Sequence, residues 1–399
     1  MIVRTEVAMR VKNVHKIMEA LQDPIDLKRD STICREMGNL SNKHVYIIAE
    51  AGVNHNGDME LARKLVRAGA EAGADAVKFQ TFHPENLVTK TAEKAAYQKV
   101  TTGTQESQLE MLQKLTLKDE DYIELEKLCR ECGVDFISTP FDSDSLHFLT
   151  TALNMPFIKI PSGEVTNASF LIEIAYSQKP VVLSTGMATL GEIEKALAVL
   201  AYGYIKSDFP ASYQAAQDVY VSEEGQNILR EKVQLLHCTT QYPAPASQAN
   251  LKAMETMKRA FGLPVGYSDH TKGITIPVAA TAMGTVIIEK HFTLDKDMPG
   301  PDHKASLEPE ELQAMVQAIR MVEQAMGSGV KIPAADEVAN LNIVRKSLVA
   351  ASEIAEGETI TLEKLTAKRA GTGISPMDVW HILGKKAGRA YGADEKIEW

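Results

Sequence analysis

Eight short apolar runs recur along this chain, and each stops at a charged or hydrogen-bonding residue. The runs are Tyr46–Ala49, Ala76–Val77, Val134–Ile137, Phe157–Ile158, Val181–Leu183, Val233–Leu236, Pro264–Tyr267 and Thr285–Ile288. Apolar residues at helical spacing fill most of the gaps between them. A strand followed by a helix, repeated in this way, predicts a (β/α)8 TIM barrel of the α/β class.

The residues that close these runs are the first candidates for function, because active sites of such barrels lie at the carboxyl ends of the strands. They are Glu50, Lys78, Ser138 with Thr139, Lys159, Ser184 with Thr185, His237, Ser268 with His270, and Glu289 with His291. A single strand that ends at a polar residue is ordinary. So many endings with lysine, histidine, glutamate or a hydroxyl indicate a ring of functional groups at one mouth.

The length of 399 residues exceeds the roughly 250 that a barrel needs, so further segments are expected. We predict an N-terminal extension over 1–43, a barrel over 44–327, a linker over 328–342 and a small β-rich domain over 343–399. Within the extension, apolar residues from Val11 to Leu21 predict a short amphipathic helix. The last domain is marginal by size and should pack on the barrel or on a second subunit.

Helical spacing also predicts individual elements of the barrel. The first helix should span Met59–Ala72 and end at Gly73, and the last should span 308–325. Its apolar positions are Leu312, Met315, Val316, Ile319, Val322 and Met326. The polar stretch 106–111 predicts a loop over the barrel mouth, and 204–230 predicts a peripheral insertion.

Composition narrows the class of protein. The net charge of −10 argues against binding to nucleic acid or to an anionic membrane surface. Four cysteines are few, which fits a reducing cytoplasm. Cys129 and Cys132 form a CxxC on a helical stretch without a second pair, so a plain thiol pair is favoured over a zinc site. The N-terminal residues lack a signal-peptide pattern, and no apolar stretch approaches the roughly 20 residues of a membrane span.

His270 and His291 are the strongest candidates for metal ligands. Each follows a predicted strand end, and the two strands are neighbours, about 4.8 Å apart in a parallel sheet. Two neutral imidazoles with room for substrate oxygens and water suit Mn²⁺, Mg²⁺ or a related divalent ion. His237 ends the sixth run, and the residues alone leave it open as a further ligand.

Lys78 and Lys159 place two cations among the strand ends. Each is either a Schiff-base nucleophile or a fixed charge for a phosphate or carboxylate. Hydroxyls from other strands surround them, namely those of Thr139, Ser162, Ser184 and Ser268. Cations and hydroxyls around one pocket indicate an oxyanion such as phosphate. Glu50 could act as a base or orient water, or it could simply pair with Lys78.

The sequence resembles the sialic acid synthases, over about residue 44 to the C-terminus. The segments that carry the resemblance are Ala-Glu-Ala-Gly-Val-Asn-His-Asn-Gly from Ala49, Val-Lys-Phe-Gln-Thr-Phe from Val77, Phe-Ile-Ser-Thr-Pro-Phe from Phe136, Lys-Ile-Pro-Ser-Gly-Glu from Lys159, Leu-Ser-Thr-Gly-Met from Leu183, Leu-Leu-His-Cys-Thr from Leu235, Tyr-Ser-Asp-His-Thr from Tyr267, and Glu-Lys-His-Phe-Thr-Leu-Asp from Glu289, followed by Pro-Gly-Pro-Asp-His from Pro299. The C-terminal residues resemble the antifreeze-like (SAF) domain of that family, marked by Lys-Arg-Ala-Gly-Thr-Gly-Ile-Ser-Pro from Lys368.

The resemblance implies a metal-dependent enzyme that condenses phosphoenolpyruvate with an N-acylated mannosamine-type sugar. His270 and His291 would hold the metal, and Glu50 would handle water or a proton. Phosphoenolpyruvate would be surrounded by Lys78, Thr139, Lys159, Ser162, Ser184 and Ser268. The sugar would be faced by Gln80, Glu164, Tyr242, Asp302 and Arg369. The resemblance also implies a domain-swapped homodimer, in which Arg369 reaches the partner's sugar.

The exact sugar stays open at this stage. The first choice is N-acetylmannosamine, which gives N-acetylneuraminate, and the alternative is 2,4-diacetamido-2,4,6-trideoxymannose, which gives N,N'-diacetyllegionaminate. Thr240 stands where some members of the family carry Asn, so its role is open.

Two other classes of protein compete with the synthase: a Schiff-base aldolase that uses Lys78 or Lys159, and a barrel that binds sugar without catalysis.

Overall fold

The computed structural model describes residues 44–95, 98–99, 102 and 106–398. The predicted helix between Val11 and Leu21 lies outside these residues. The chain divides into two compact units between Met326 and Gly327. Among the described residues, no helix is long and apolar enough to cross a membrane.

Eight parallel strands form the first unit. They are β1 Tyr46–Gly52, β2 Ala76–Thr81, β3 Asp135–Pro140, β4 Ile158–Ile160, β5 Val181–Ser184, β6 Val233–Cys238, β7 Val265–Asp269 and β8 Ile287–His291. Their order in the sheet is β3-β2-β1-β8-β7-β6-β5-β4. β3 and β4 meet at the remaining seam. The predicted (β/α)8 barrel is confirmed.

Helices cover the outside of the strands. They are α1 Met59–Glu71, α2 Pro84–Leu87, α3 Gln108–Gln113, α4 Asp119–Cys132, α5 Ser143–Ala152, α6 Ala168–Tyr176, α7 Leu190–Ile205, α8 Tyr213–Tyr220, α9 Glu223–Lys232, α10 Lys252–Phe261, α11 Thr275–Ala282 and α12 Pro309–Met326. Gly73 follows α1 with φ +85°, which is the left-handed conformation expected just after a helix. The apolar stripe of α12 is buried from Leu312 to Ile319, whereas Met326 is exposed.

The stretch 106–111 is not a loop, contrary to the prediction. It contains the start of α3, which Ser107 and Glu110 begin with a capping box, each side chain accepting a hydrogen bond from the other residue's backbone N–H. Met111 and Leu112 of this helix are buried in a small apolar cluster with Phe82. The insertion 204–230 likewise forms two helices, α8 and α9.

A buried ion pair fixes the ends of β7 and β8 relative to each other. Lys290 lies 2.6 Å from a carboxylate oxygen of Asp269, and both side chains are fully buried. Lys290 also donates to the Thr271 carbonyl oxygen. Because successive side chains of a strand point to opposite faces, this pair lies on the face away from Ser268, Glu289 and His291.

The second unit contains helix α13 Ala335–Val344 and the antiparallel strands β9 Ser347–Ala350 and β10 Leu365–Lys368. α13 begins within the segment predicted as a linker. The unit has an apolar core of its own, formed by Leu348, Ala350, Ile354, Ile360, Leu365, Ile374, Ile382, Ala387, Tyr391 and Ile397. The predicted small β-rich domain is confirmed.

Candidate active site

Three strands bring Glu50, Lys78 and His291 side by side. In the parallel ladders, Glu50 of β1 is opposite Lys78 of β2 on one side and His291 of β8 on the other. The Glu50 carboxylate lies 2.7 Å from the Lys78 ammonium. All three side chains are almost completely buried, so the opposite charges of Glu50 and Lys78 compensate each other where water cannot.

Glu289 continues this line of charges to the second lysine. One oxygen of Glu289 lies 3.6 Å from Lys78 Nζ, and the other lies 3.8 Å from Lys159 Nζ. The Ser268 hydroxyl donates to the latter oxygen at 2.7 Å. Carboxylates and ammonium groups therefore alternate across the barrel from Glu50 to Lys159, and Glu289 separates two buried cations that would otherwise repel each other.

The surroundings give the carboxyl groups of Glu50 and Glu289 very different pKa values. Burial raises the pKa of Glu50 to about 7, although Lys78 opposes that rise. Burial also acts to raise the pKa of Glu289, but Lys159 and Lys78 outweigh it and the pKa falls to about 2. Glu289 is thus a permanent anion, whereas Glu50 can exchange a proton near neutral pH.

The predicted hydroxyls lie around the two lysines. Lys78 Nζ donates to Thr139 Oγ1 at 3.0 Å, and Lys159 Nζ donates to Ser184 Oγ at 2.7 Å. Ser162 Oγ accepts from the Gly186 backbone N–H at 2.9 Å and is 3.2 Å from the sulfur of Cys238. A side chain at Gly186 would collide with Ser162 and Cys238, so this glycine lets two loops approach closely.

His270 and His291 have the properties of a metal pair. Their ring centroids are 5.5 Å apart. His270 Nδ1–H donates to the Thr239 carbonyl oxygen, which leaves Nε2 with a free lone pair. His291 Nδ1 is buried and has no hydrogen-bond partner among the described residues. Burial lowers the pKa of His270 to about 4 and that of His291 well below its usual value. Both rings are therefore neutral at pH 7, which is the form that binds a metal.

Tyr242 packs against both imidazoles. Its ring centroid is 4.1 Å from that of His270 and 5.6 Å from that of His291. Tyr242 was expected to face the sugar, and this position places it beside the histidine pair.

Two other histidines fit a structural role better. His237 Nε2 is 2.8 Å from the carbonyl oxygen of Ala249, a contact that ties a loop to β6.

His83 lies in a cluster with Asp142 and Asp144 whose ligand atoms are close enough for a metal. The Asp142 carboxylate, however, already accepts from the backbone N–H groups of His83 and Ser145 and from the Ser145 hydroxyl. It serves as the N-cap of α5.

The structure brings only part of the predicted sugar-binding set to the charged centre. Gln80 donates to Glu50 at 3.3 Å. The Glu164 carboxylate accepts from Asn167 at 2.6 Å. Arg369 is exposed on the second unit, and its role toward a sugar stays a prediction. Asp302 is buried, and burial alone raises the pKa of its carboxyl to about 6.

Known proteins resemble the chain along most of its length. The NeuB family model matches residues 65–331, which is more than half of the chain. The chain belongs to the NeuB family. A second model, the SAF domain, matches residues 345–399. The resemblance that the sequence motifs predicted is confirmed in both parts.

Three relatives illustrate the range of the family. N,N'-diacetyllegionaminic acid synthase of Campylobacter jejuni is 50% identical over 355 residues, 89% of this chain and 99% of the relative. The enzyme of the same name from Legionella pneumophila is 44% identical over 361 residues, 90% and 95% of the two chains. A crystal structure of N-acetylneuraminic acid synthetase from Leptospira borgpetersenii with citrate is 31% identical, with a TM-score of 0.59 over 74% of this chain and 90% of that one.

Glu289 is the main residue of the charged centre that the motifs did not assign. Its sequence signal is the alternation of a strand: Glu289 and His291 are two residues apart and share a face, and Lys290 between them faces away. Cys238 is a second such residue, and its thiol contacts Ser162. It is the last residue of β6, opposite Ser268 of β7, and only the fold reveals its contact with Ser162.

The buried carboxyl of Asp302 leads to a stability prediction. Its folded-state pKa of about 6 lies above the ordinary value of 3.8, so its contribution to stability falls as pH rises between these values and stays lost above them. We expect Asp302→Asn to stabilise the ligand-free protein at pH 7, on the order of 2–3 kcal/mol. Urea unfolding at pH 7 and pH 4 measures it; an equal gain at both values would show a cause other than ionisation.

Proposed function

We propose that this protein condenses phosphoenolpyruvate, an N-acylated mannosamine-type sugar and water into a nonulosonic acid and phosphate. The observation that carries the proposal is the pair of buried lysines, each with a hydroxyl and Glu289 between them. For the sugar we favour 2,4-diacetamido-2,4,6-trideoxymannose, with N,N'-diacetyllegionaminate as product. N-acetylmannosamine was the first choice from sequence, but the more similar relatives carry the name of the alternative.

Phosphoenolpyruvate carries a carboxylate and a phosphate, and the centre offers matching groups. The Lys78 and Lys159 ammonium groups would contact these anions together with the hydroxyls of Thr139, Ser184 and Ser268. Burial strengthens such contacts, because water cannot screen them. Holding the enol carbon in place means that less entropy is lost on reaching the transition state. This positioning would supply much of the rate enhancement.

The bonds of the reaction follow from the two substrates. The enol carbon of phosphoenolpyruvate adds to the aldehyde carbon of the open-chain sugar. A C–C bond forms, and the aldehyde C=O becomes a C–O single bond whose oxygen takes up a proton. Water adds to the former C2 of phosphoenolpyruvate, and phosphate leaves with cleavage of its C–O bond. Glu50 can accept the proton of that water, because its pKa of about 7 leaves much of it ionised at neutral pH. A divalent ion held by His270 and His291, with Mn²⁺ and Mg²⁺ as the candidates, would polarise the aldehyde oxygen.

Of the two lysines, Lys78 argues against a Schiff-base aldolase. A Schiff base requires a neutral amine. Burial lowers the pKa of Lys78, but the carboxylates of Glu289 and Glu50 outweigh it and the net pKa is raised. Burial lowers the pKa of Lys159, so this residue is the one to test. Borohydride trapping of substrate on Lys159 would support the aldolase, and complete loss of activity in a chelator would argue against it.

Phosphate release with two sugars tests the proposal. We expect kcat/KM for 2,4-diacetamido-2,4,6-trideoxymannose to exceed that for N-acetylmannosamine by at least about tenfold, because buried polar groups that match an acetamido group are left unpaired by a hydroxyl. The Glu50→Gln protein serves as the blank. A preference for N-acetylmannosamine would restore the first choice. No phosphate release with either sugar would instead favour a barrel that binds sugar without catalysis.

A further inference from the structure

The loop that carries Asp302 begins and ends on strand β8. The Leu307 N–H donates to the His291 carbonyl at 2.9 Å, and the Thr293 N–H donates to the Leu307 carbonyl at 2.8 Å. The chain therefore leaves β8 after His291, makes a closed excursion over residues 294–306, and returns to the same place. This geometry puts Asp302 on a loop at the barrel mouth, with both ends beside His291.

Two asparagines that follow β1 hold this loop from the side. Asn54 Nδ2 donates to the Phe292 carbonyl at 2.8 Å and to the Ser306 hydroxyl at 3.0 Å. Asn56 Nδ2 donates to the Pro299 carbonyl at 2.9 Å. Asn54 thus secures the base of the loop, and Asn56 secures its tip.

His303 completes the contact with Asn56. Its Nε2 is 3.2 Å from Asn56 Oδ1, and its Nδ1 is 2.6 Å from Thr293 Oγ1. Because the Asn56 amide nitrogen donates to the Pro299 carbonyl, the amide oxygen is the atom that faces His303, and an amide oxygen can only accept a hydrogen bond. His303 therefore carries its proton on Nε2 and accepts from the Thr293 hydroxyl at Nδ1. Burial lowers the pKa of His303 to about 4, which agrees with a neutral ring.

Gly300 makes the close approach possible. A Cβ atom at this position would lie 2.6 Å from His303 Cδ2 and 2.9 Å from Asn56 Oδ1. Gly300 also has φ +155°, a conformation that L side chains rarely adopt. Asn56, Gly300 and His303 therefore form one interlocked unit, called the Asn56 latch below.

The Asp302 carboxylate needs such support. It is buried, and burial is the sole cause of its raised pKa, so no neighbouring charge or hydrogen bond lowers the pKa again. A carboxylate in that state would gain by turning toward water. Only its backbone is tied locally, since the Asp302 carbonyl accepts from Ala305 N–H and from the Ser306 hydroxyl.

We propose that the Asn56 latch positions Asp302 to bind the sugar, so that Asn56, Gly300 and His303 are positioning residues for sugar affinity and not for phosphoenolpyruvate affinity. The proposal rests on the proposed function and on the sequence prediction that Asp302 faces the sugar. It adds three residues that would act on the sugar indirectly. Their effect passes through one carboxylate.

Two variants break the contact between Asn56 and His303 in different ways. Asn56→Gly removes both side-chain hydrogen bonds and keeps a residue that tolerates the φ of +52° found there. Gly300→Ala keeps every polar group and forces His303 away from Asn56. The matched control is Asn250→Gly, because Asn250 also has a positive φ, of +42°, but is exposed on another loop.

We expect both latch variants to raise the KM for the sugar roughly tenfold or more. The KM for phosphoenolpyruvate should stay within about twofold, and Asn250→Gly should change neither value. A merely structural role would raise both KM values or lower the melting temperature in step with activity. An equal rise in both KM values would therefore overturn the proposal.

A double-mutant cycle with Asp302→Ala shows whether the effect passes through Asp302. If it does, Asn56→Gly adds nothing to the sugar KM once Asp302 is gone. Additive effects would refute the latch while leaving the sugar role of Asp302 intact. If Asp302→Ala alone leaves the sugar KM unchanged while phosphate is still released, the latch proposal is wrong and the synthase activity stands. Loss of phosphate release by the unmodified protein with both sugars would instead count against the proposed function.

Discussion

Alanine at His270 or at His291 is expected to abolish turnover and to remove the bound divalent ion from an otherwise folded protein. With two imidazoles as the protein's ligands, the loss of either leaves a single weak contact, and the polarisation of the aldehyde is lost with it. That polarisation is worth several kcal/mol, which corresponds to at least about a thousandfold in rate. Phosphate release and metal content of the dialysed variants, by elemental analysis, measure both effects.

His237→Asn is the control for these variants. His237 also lies near the carboxyl end of a strand, but its Nε2 contacts the Ala249 carbonyl, so this variant should keep the metal. Circular dichroism of all three variants separates metal loss from unfolding. Activity within about tenfold of the unmodified protein in both alanine variants would contradict the assignment. A metal-free His237 variant would show that the third histidine is a ligand.

Glu50→Gln is expected to reduce turnover by roughly 10²–10⁴ and to leave phosphoenolpyruvate affinity nearly unchanged. Glutamine fills the same space and can still accept a hydrogen bond from Lys78, but it cannot take up a proton. Lys78 keeps its contacts with Thr139 and Glu289, which preserves its place in the anion site. Single-turnover phosphate release gives the rate, and calorimetric titration gives the affinity.

The pH profile adds an independent check on Glu50. Burial raises its pKa to about 7, and only the ionised form accepts a proton, so turnover should fall as pH drops below that value. The Gln variant should lack this decline. A large loss of phosphoenolpyruvate affinity with normal turnover would assign Glu50 to substrate placement instead.

The barrel was predictable because each parallel strand is covered on both faces, which makes it a short, nearly continuous apolar run. The same logic failed for α3. The run from Glu106 to Met111 is polar on balance and was interpreted as a loop, although Ser107 and Glu110 stand at the spacing of a capping box. The polar composition there hides the signal for a helix start. Met111 and Leu112 are buried through tertiary packing, which a local pattern does not reveal.

The candidate site was predictable where a residue stands at or just after a strand end, as His291 and His270 do. Lys78 was predicted to end its strand, but β2 continues for three more residues to Thr81. Contacts that join different strands were harder, because they depend on which strands are neighbours and on side-chain length. Glu289 illustrates this limit: its two lysines come from β2 and β4, far from β8 in sequence. The Asn56 latch is another case, since Asn56 is more than two hundred positions from Gly300 and His303 and meets them only when the barrel closes.

The ion pair behind the histidines constrains how this sequence can diverge. Removing one partner of a buried pair leaves a lone charge and typically costs roughly 3–5 kcal/mol, whereas replacing both with apolar residues can be neutral. Asp269 and Lys290 adjoin His270 and His291, so a lone charge there would disturb the proposed metal ligands as well as the fold. A relative that replaces both residues one at a time must pass through a sequence with a lone buried charge. Among related sequences, we therefore expect the residues at positions 269 and 290 to change together.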